Sequence, residues 1–331
     1  MGHLHPRRGP PGPGGLPPGH RPAGAGAGRQ IASAGPAAVG PRRRAHGSRL
    51  GMVTMPGTHT AIIRRARRDA GRMLRIITRT LSPTKAQTRR ALRYKILVGT
   101  HHRAGTMWIG GIFRRIARDL ALEFFSGSQQ DLPQNFDIFF QNHSAFDFSR
   151  LPVEYRGVHV IRDPRDVIVS GCFYHQKASE AWLHVEREEF GGLTYQQKMN
   201  SLPSVDDQLM FEMEHHGDPI RDMVAWSYSN LNFLEVRYED LRADTSLTLF
   251  RRIFTFLGFP AEVIPRLLRI AHDNSLFSGR VRNSVHVRSG DVGQWRRYFK
   301  PAHRVRFLEL FGDALIQLGY EQNDDWVTVG G

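Results

Sequence analysis

The stretch LVGTHHRAGTMW, Leu97 to Trp108, decides the fold. The apolar run Lys95-Ile96-Leu97-Val98 is strand-like, and a loop with Gly99, Ala104 and Gly105 leads into a helix-like segment. Gly99 and Gly105 let the backbone turn tightly and approach an anion. The amides of Gly105, Thr106 and Met107 open the helix, so they are unpaired donors at its positive end. Arg103 adds a charge and Thr106 a hydroxyl. A triphosphate loop needs GxxxxGK[ST]. Here the cation precedes the glycine, and Thr106 follows it. The missing Lys-Ser/Thr pair argues against a Mg²⁺-bound triphosphate, and the loop reads as a site for one phosphate-like group.

Outward from this loop, strand-like runs lie at Lys95–Gly99, Asp137–Gln141, Val158–Arg162 and Phe233–Tyr238. Helical patterns fall at Met107–Ala121, Pro164–Lys177, Ile220–Leu231, Ser246–Leu257, Glu262–Ala271 and Ala302–Leu318. Strands apolar on both faces, alternating with helices, predict an α/β fold with a parallel sheet covered on each side. Ligands of such sheets sit beyond the carboxyl ends of the strands. The polar clusters THHRAGTMW (100–108), QNHS (141–144), RDPRDVIVS (162–170) and RYEDL (237–241) all fall there. In the third, Asp163 or Asp166 can cap the helix or neutralise its arginines. Arg162 and Ser170 form a fork and a hydroxyl that grip a phosphate if an anion lies along that helix. An Arg–Asp network within the chain accounts for the same residues. A fourth loop, VRSGDVGQWRRYF (287–299), contains Arg288, Ser289 and Gly290.

Charge is unevenly spread. Residues 1–95 contain 20 Lys and Arg against one acid, Asp69, while residues 96–331 contain 26 basic and 30 acidic residues, within a net charge of +15. The basicity therefore belongs to the N-terminal part, and nucleic acid is not an expected partner of the whole chain. Residues 1–57, rich in Gly, Pro, Ala and Arg, read as a disordered segment. They contain no apolar secretory core, and Met52 or Met55 is an alternative start. Residues 58–93 read as a basic amphipathic helix and linker. Ile62, Ile63, Ala66, Ala70, Met73, Leu74, Ile77 and Leu81 alternate with arginines over 60–81. Such a face reads first as a helix packed on the main domain with its arginines solvated, and as the alternative suits an anionic or membrane surface. The main domain is expected over 94–322, with a tail at 323–331. No apolar run reaches membrane-spanning length. The one cysteine, Cys172, sits in an apolar helical stretch, which predicts a buried thiol and fits a reducing, cytoplasmic compartment.

Together the clusters resemble the sulfotransferase family that uses 3′-phosphoadenosine 5′-phosphosulfate (PAPS), in the branch of cytosolic enzymes and bacterial relatives. There the first loop typically reads TYPKSGTTW, where this chain has THHRAGTMW. RNPKDVAVS corresponds to RDPRDVIVS. Tyr238-Glu239-Asp240 matches the YED element, FTFLGFP (254–260) the FLG-P ending, and RSGDVGQW (288–295) the RKGxxGDW element. The resemblance runs over about 94–320, in order. It implies a P-loop-NTPase-like three-layer sandwich with a mostly parallel central sheet. It also implies sulfuryl transfer from PAPS to a hydroxyl or amine of a small-molecule, lipid or carbohydrate acceptor, without a metal.

Carried over, the resemblance gives Arg103 the loop lysine's place at the phosphosulfate. Ala104, Gly105, Thr106 and Met107 form the 5′-phosphate loop, and Trp108 stacks on adenine, with Tyr238 near it. Arg162, Ser170, Arg288, Ser289 and Gly290 hold the 3′-phosphate. His143, in Gln141-Asn142-His143, takes the catalytic base's position, with Asp147 as alternate. Three lysines of the family are absent, replaced by Arg103, Gln141 and Ser289. A kinase-like phosphotransferase and a non-catalytic relative that binds adenosine 3′,5′-bisphosphate (PAP) are the alternatives. Phe124, Phe125, Phe139, Phe140, Phe146 and Phe148 read as sheet core or an apolar acceptor pocket. Residues 174–218 read as an acceptor lid whose acids suit a cationic acceptor. Within them, EMEHH (212–216) reads as a solvated helix face and not a metal site.

Overall fold

The computed structural model of the 331-residue chain describes residues 91–151, 154–278 and 290–328. The segment 1–57, the basic helix expected over 60–81, and Arg288 and Ser289 lie outside the described residues.

Five strands form one sheet: β1 (Lys95–Gly99), β2 (Phe124–Ser126), β3 (Ile138–Gln141), β4 (Tyr155–Ile161) and β5 (Phe233–Arg237). Their order is β2-β3-β1-β4-β5, and every neighbouring pair is parallel. Gly99 is in register with Gln141 on one side and His159 on the other. From β1 the chain passes to the edge strand β2, returns to β3 between them, then crosses to β4 and β5 on the other side of β1. The reversal lies at β1, so the loops after β1 and β4 flank the natural ligand crevice.

Helices flank the sheet. α1 (Thr106–Leu120) follows β1, and α2 (Pro164–His175) follows β4. The long β4–β5 connection adds α3 (Tyr195–Ser201), α4 (Val205–His215) and α5 (Asp218–Ala225). α6 (Tyr238–Ala243) starts where β5 ends, followed by α7 (Thr248–Phe256), α8 (Ile264–Asp273), α9 (Trp295–Tyr298), α10 (Pro301–Phe311) and α11 (Ala314–Gln317).

Alternation along each strand sorts the core. Ile96 and Val98 of β1, with Ile138 and Phe140 of β3, pack against α1, α7 and α8. Leu97 and Phe139 point the other way, into a cluster with Phe136, Trp226 and Phe233. Burial on both faces is why β1 reads as a continuous apolar run. A further cluster joins α2, α4 and α10 through Val169, Cys172, Leu209, Met213 and Phe307. Cys172 is buried there, as expected.

Two helices are shorter than their patterns. The helix expected over Ile220–Leu231 ends at Ala225, because Trp226 turns extended and donates its indole Nε1–H to Glu235 at 2.8 Å. The helix expected over Ala302–Leu318 breaks at Gly312, whose φ of 55° and ψ of −132° no helix accepts. β2 was not anticipated: three residues are too few to show a period.

Candidate functional site

The β1–α1 loop is wound by its own hydrogen bonds. Thr106 Oγ1 donates to the His101 carbonyl at 2.9 Å, and the Ala104 amide donates to the same carbonyl. Arg103 and Gly105 both adopt left-handed backbone, with φ of 64° and 91°. A Cβ at Gly105 would lie 3.0 Å from the Tyr238 ring, so glycine is required twice over. No side chain caps α1 among the described residues, which leaves its first amides to a ligand.

From the β4–α2 loop, Arg162 donates to the Arg103 carbonyl at 3.0 Å and to the Asp291 carbonyl at 3.1 Å. Its guanidinium lies over the Tyr238 ring at 4.5 Å. Ser170, on the second turn of α2, accepts from Arg103 Nε at 3.0 Å. The Arg103 guanidinium rests over the Tyr174 ring at 4.1 Å. Burial, reinforced by the charge of Arg162, pulls Arg103 down to about 10. Two cations held this close favour an anion between them. The Arg162 Nε–H is buried and has no acceptor among the described residues, and neither has the Trp108 indole N–H. Both residues line one cavity of about 190 Å³.

Arg103, Gly105, Thr106, Met107 and Trp108 line that cavity from β1–α1, Arg162 and Ser170 from β4–α2, and Tyr238 and Gly290 from the far side. Ala104 is fully buried beneath it and does not line it. Trp108 packs edge-on to Tyr238, with centroids 5.8 Å apart, so its ring belongs to the core with one edge at the cavity. The Tyr238 hydroxyl and Arg242 Nε both donate to the Gly290 carbonyl, at 3.0 and 3.2 Å. Asp166 accepts from the amides of Gly293 (2.7 Å) and Trp295 (2.9 Å), and burial pushes its carboxyl up. The C-terminal loop is thus tied to the segments that follow β4 and β5.

The two aspartates of RDPRD divide the labour. Asp163 caps α2 through the Arg165 amide and holds the Arg165 guanidinium with both oxygens, at 3.0 and 2.8 Å. Asp166 stands 3.7 Å from Arg162. The network within the chain therefore absorbs Arg165 fully and Arg162 in part, leaving the Arg162 Nε–H without an acceptor among the described residues.

Several expected residues sit elsewhere. His143 is exposed in the turn after β3 and does not line the cavity; its neighbour Asn142 does. Gln141 donates its amide to the Gly127 carbonyl at 3.2 Å. Asp147, the alternate base, instead caps a 3₁₀ turn through Ser149. Phe139 and Phe140 are sheet core, and the half-buried Phe146 and Phe148 pack against it on Trp226 and Phe233. His102, Tyr174 and Glu180 line the cavity without having been singled out. Tyr174 was legible: it stands four residues after Ser170, on the same helical face. Glu180 accepts from Tyr174 and Trp182, and its carboxyl is held far below the usual range, most of all by His102.

The expectation of a solvated face at 212–216 is wrong for two residues. Glu214 and His215 are exposed, but Glu212 is buried, accepting from His175 Nδ1 (2.9 Å) and the Tyr195 hydroxyl (2.8 Å). His216 is partly buried, with Nε2 3.1 Å from His102 Nδ1. The helix packs on α2, so this side of it faces protein, not water.

The family model for the sulfotransferase domain matches residues 93–319, and the chain belongs to that family. It is 26% identical over 176 residues to rat (Rattus norvegicus) sulfotransferase 2A6, covering 48% of this chain and 56% of that protein. It is 27% identical over 185 residues to human (Homo sapiens) sulfotransferase 2A1, covering 50% and 58%. The chain thus spans little more than half the length of these relatives. A mouse sulfotransferase SULT7A1 structure, complexed with PAP, superposes with a TM-score of 0.46 at 18% identity, covering 67% of this chain and 84% of that one.

Proposed function

We propose that this chain is a PAPS-dependent sulfotransferase acting on a small-molecule hydroxyl or amine. One observation carries the reading: Arg103, Arg162 and Ser170 converge at the uncapped start of α1, with the Arg162 Nε–H lacking an acceptor among the described residues. That donor set suits phosphate groups without a metal-binding Lys-Ser/Thr pair. Membership of the sulfotransferase domain family supports the same donor.

PAPS, when bound, supplies the activated sulfuryl group. The α1 amides and Arg103 hold the 5′-phosphate and stabilise charge on the leaving oxygen as the S–O bond breaks. Arg162 and Ser170 hold the 3′-phosphate, with Arg288, Ser289 and Gly290 completing the grip. Trp108 and Tyr238 take the adenine end. His143 accepts the acceptor's proton as the acceptor attacks sulfur in line. The one cysteine, a free buried thiol, fits a cytoplasmic setting. Among the described residues no helix is long and apolar enough to cross a membrane.

The test is thermal shift with PAP, ATP and ADP on wild type and Ser170→Ala. Selective stabilisation by PAP, weakened in the variant, supports the reading. An equal response to ATP without metal overturns it. A second reading, a PAP-binding relative without turnover, rests on His143 lying outside the cavity lining. An acceptor screen separates the two: PAP binding with no turnover on phenols, alcohols or amines favours it, and turnover lost in His143→Ala refutes it.

A further inference from the structure

Beside the donor cavity lies a cluster that the sulfuryl-transfer reading leaves unused. His102 comes from the β1–α1 loop, His175 from the last turn of α2 and His216 from the residue after α4. One nitrogen from each lies within 4.8 Å of the other two. His102 Nδ1 and His216 Nε2 are 3.1 Å apart. Two ligands of a tetrahedral Zn²⁺ with bonds of about 2.0–2.1 Å stand roughly 3.4 Å apart, so this pair is already at ligand spacing. The rings of His102 and His175 are parallel, at 1°, and His216 stands across both at about 80°.

Two features distinguish this from a chance meeting of histidines. The first is His175. It is fully buried, its Nδ1 is committed to Glu212, and its Nε2 has no partner among the described residues. A buried imidazole nitrogen without a partner is costly unless a ligand uses it. The second is the carboxylates behind the rings. Glu212 holds the far nitrogen of His175 at 2.9 Å, and Glu180 stands 3.7 Å from His102 Nε2. Carboxylates on the far nitrogens fix tautomer and orientation, as they do behind metal-bound histidines.

We infer that His102, His175 and His216 form a binding site for a zinc-class divalent cation. The site offers His102 Nδ1, His175 Nε2 and His216 Nε2. On binding, whichever ring donates in the His102–His216 contact carries that proton on its other nitrogen instead, so each ring presents a lone pair and holds one proton on the nitrogen turned away from the ion. For His102 that nitrogen faces Glu180. Three histidines leave a fourth position for water, the arrangement of an open site. Because His102 also lines the donor cavity, the ion ties the donor loop to the ends of α2 and α4. Imidazole ligands select zinc, cobalt, nickel or copper over magnesium or calcium.

The experiment uses the full chain stripped with chelator, then titrated with Zn²⁺ by calorimetry and with Co²⁺ by visible absorption. The chain contains 16 histidines, so stoichiometry is read as a difference from a variant. His216→Gln is chosen because His216 is only partly buried, and exposed His272→Gln serves as control. Wild type and the control take up one tight equivalent. The variant binds it at least 100-fold more weakly. Zn²⁺ at a hundredfold excess over its Kd raises the wild-type Tm by about 5–10 °C. Equal uptake and affinity in wild type and His216→Gln overturns the site. The Co²⁺ spectrum keeps the question decidable if the variant misfolds: intense bands of four-coordinate Co²⁺ in wild type support the site, and weak octahedral bands refute it. Neither readout needs PAPS, PAP or turnover, so failure of the sulfotransferase reading leaves this result standing, and the reverse holds too.

Discussion

Gly171→Ala sets two well-understood effects against each other. Gly171 lies inside α2, where alanine would normally stabilise by about 1 kcal/mol. Its Cβ, however, would overlap Glu212 Oε1 and stand 3.1 Å from the Glu212 Cδ. Glu212 cannot step aside cheaply. It is 1% exposed and held by His175 and Tyr195. Although burial opposes it, the pull of His175 keeps the Glu212 carboxyl below its ordinary range, so the charge is present at neutral pH. Moving the carboxylate breaks hydrogen bonds to a charged group, each contributing roughly 1.5–3 kcal/mol, and strands a buried charge. A net loss of about 3 kcal/mol remains after the helix gain, which for a chain of this size lowers Tm by roughly 6–12 °C. Gly111→Ala is the matched control. It sits in α1 with nothing within 4 Å of its added Cβ, so it is expected to gain up to about 1 kcal/mol. Urea unfolding of both variants, with midpoint and slope compared to wild type, is the assay. If Gly171→Ala proves as stable as wild type, the buried Glu212–His175–Tyr195 contact is not the constraint described, and the carboxylate support for the histidine cluster goes with it.

Three further outcomes follow from the geometry. Ser170→Ala removes the acceptor of Arg103 Nε and one cavity hydroxyl, so PAP binding weakens about five- to tenfold by calorimetry while the Tm without ligand barely moves. Arg165→Lys keeps the charge but loses the two-toothed grip on Asp163, the bond to Glu321 and the stacking over Trp295 at 3.7 Å; denaturant unfolding should show a loss of roughly 3 kcal/mol. Asp166→Asn leaves only one oxygen for the amides of Gly293 and Trp295, so about 1–3 kcal/mol is lost, read by the same unfolding assay.

What the sequence made legible was local, and what it hid was set by distant partners. β1 was readable to the residue because five positions in a row are buried or nearly so, and periodicity reports burial. The cavity was readable because strand ends in a parallel sheet must open on one side, and Arg103, Arg162, Ser170 and Tyr238 all follow strands. That Arg103 finds its acceptor on Ser170, 67 positions later, has no local signal. Gly99 shows how a correct residue can carry a wrong reason. In the sequence it suggests room for an anion, but a Cβ there would lie 2.7 Å from Ser144 Oγ, whose hydroxyl donates to the Thr100 carbonyl at 2.9 Å. That same bond, with Ser144 at φ 53°, fixes the turn after β3, and the turn puts Asn142 rather than His143 at the cavity. Which residue of a turn faces a site is decided by how the turn is anchored, and the anchor here comes from the loop after β1. The misreading of 212–216 has the same origin. Glu212 lies on α4 and His216 just past its end, with the His216 amide bonded to the Glu212 carbonyl, but charged residues on a helix are ordinarily solvated. Only the packing of α4 on α2, which brings up His175 and excludes water, turns that face inward. The donor loop is therefore the legible half of the site, and the histidine cluster behind it is the half that required the fold.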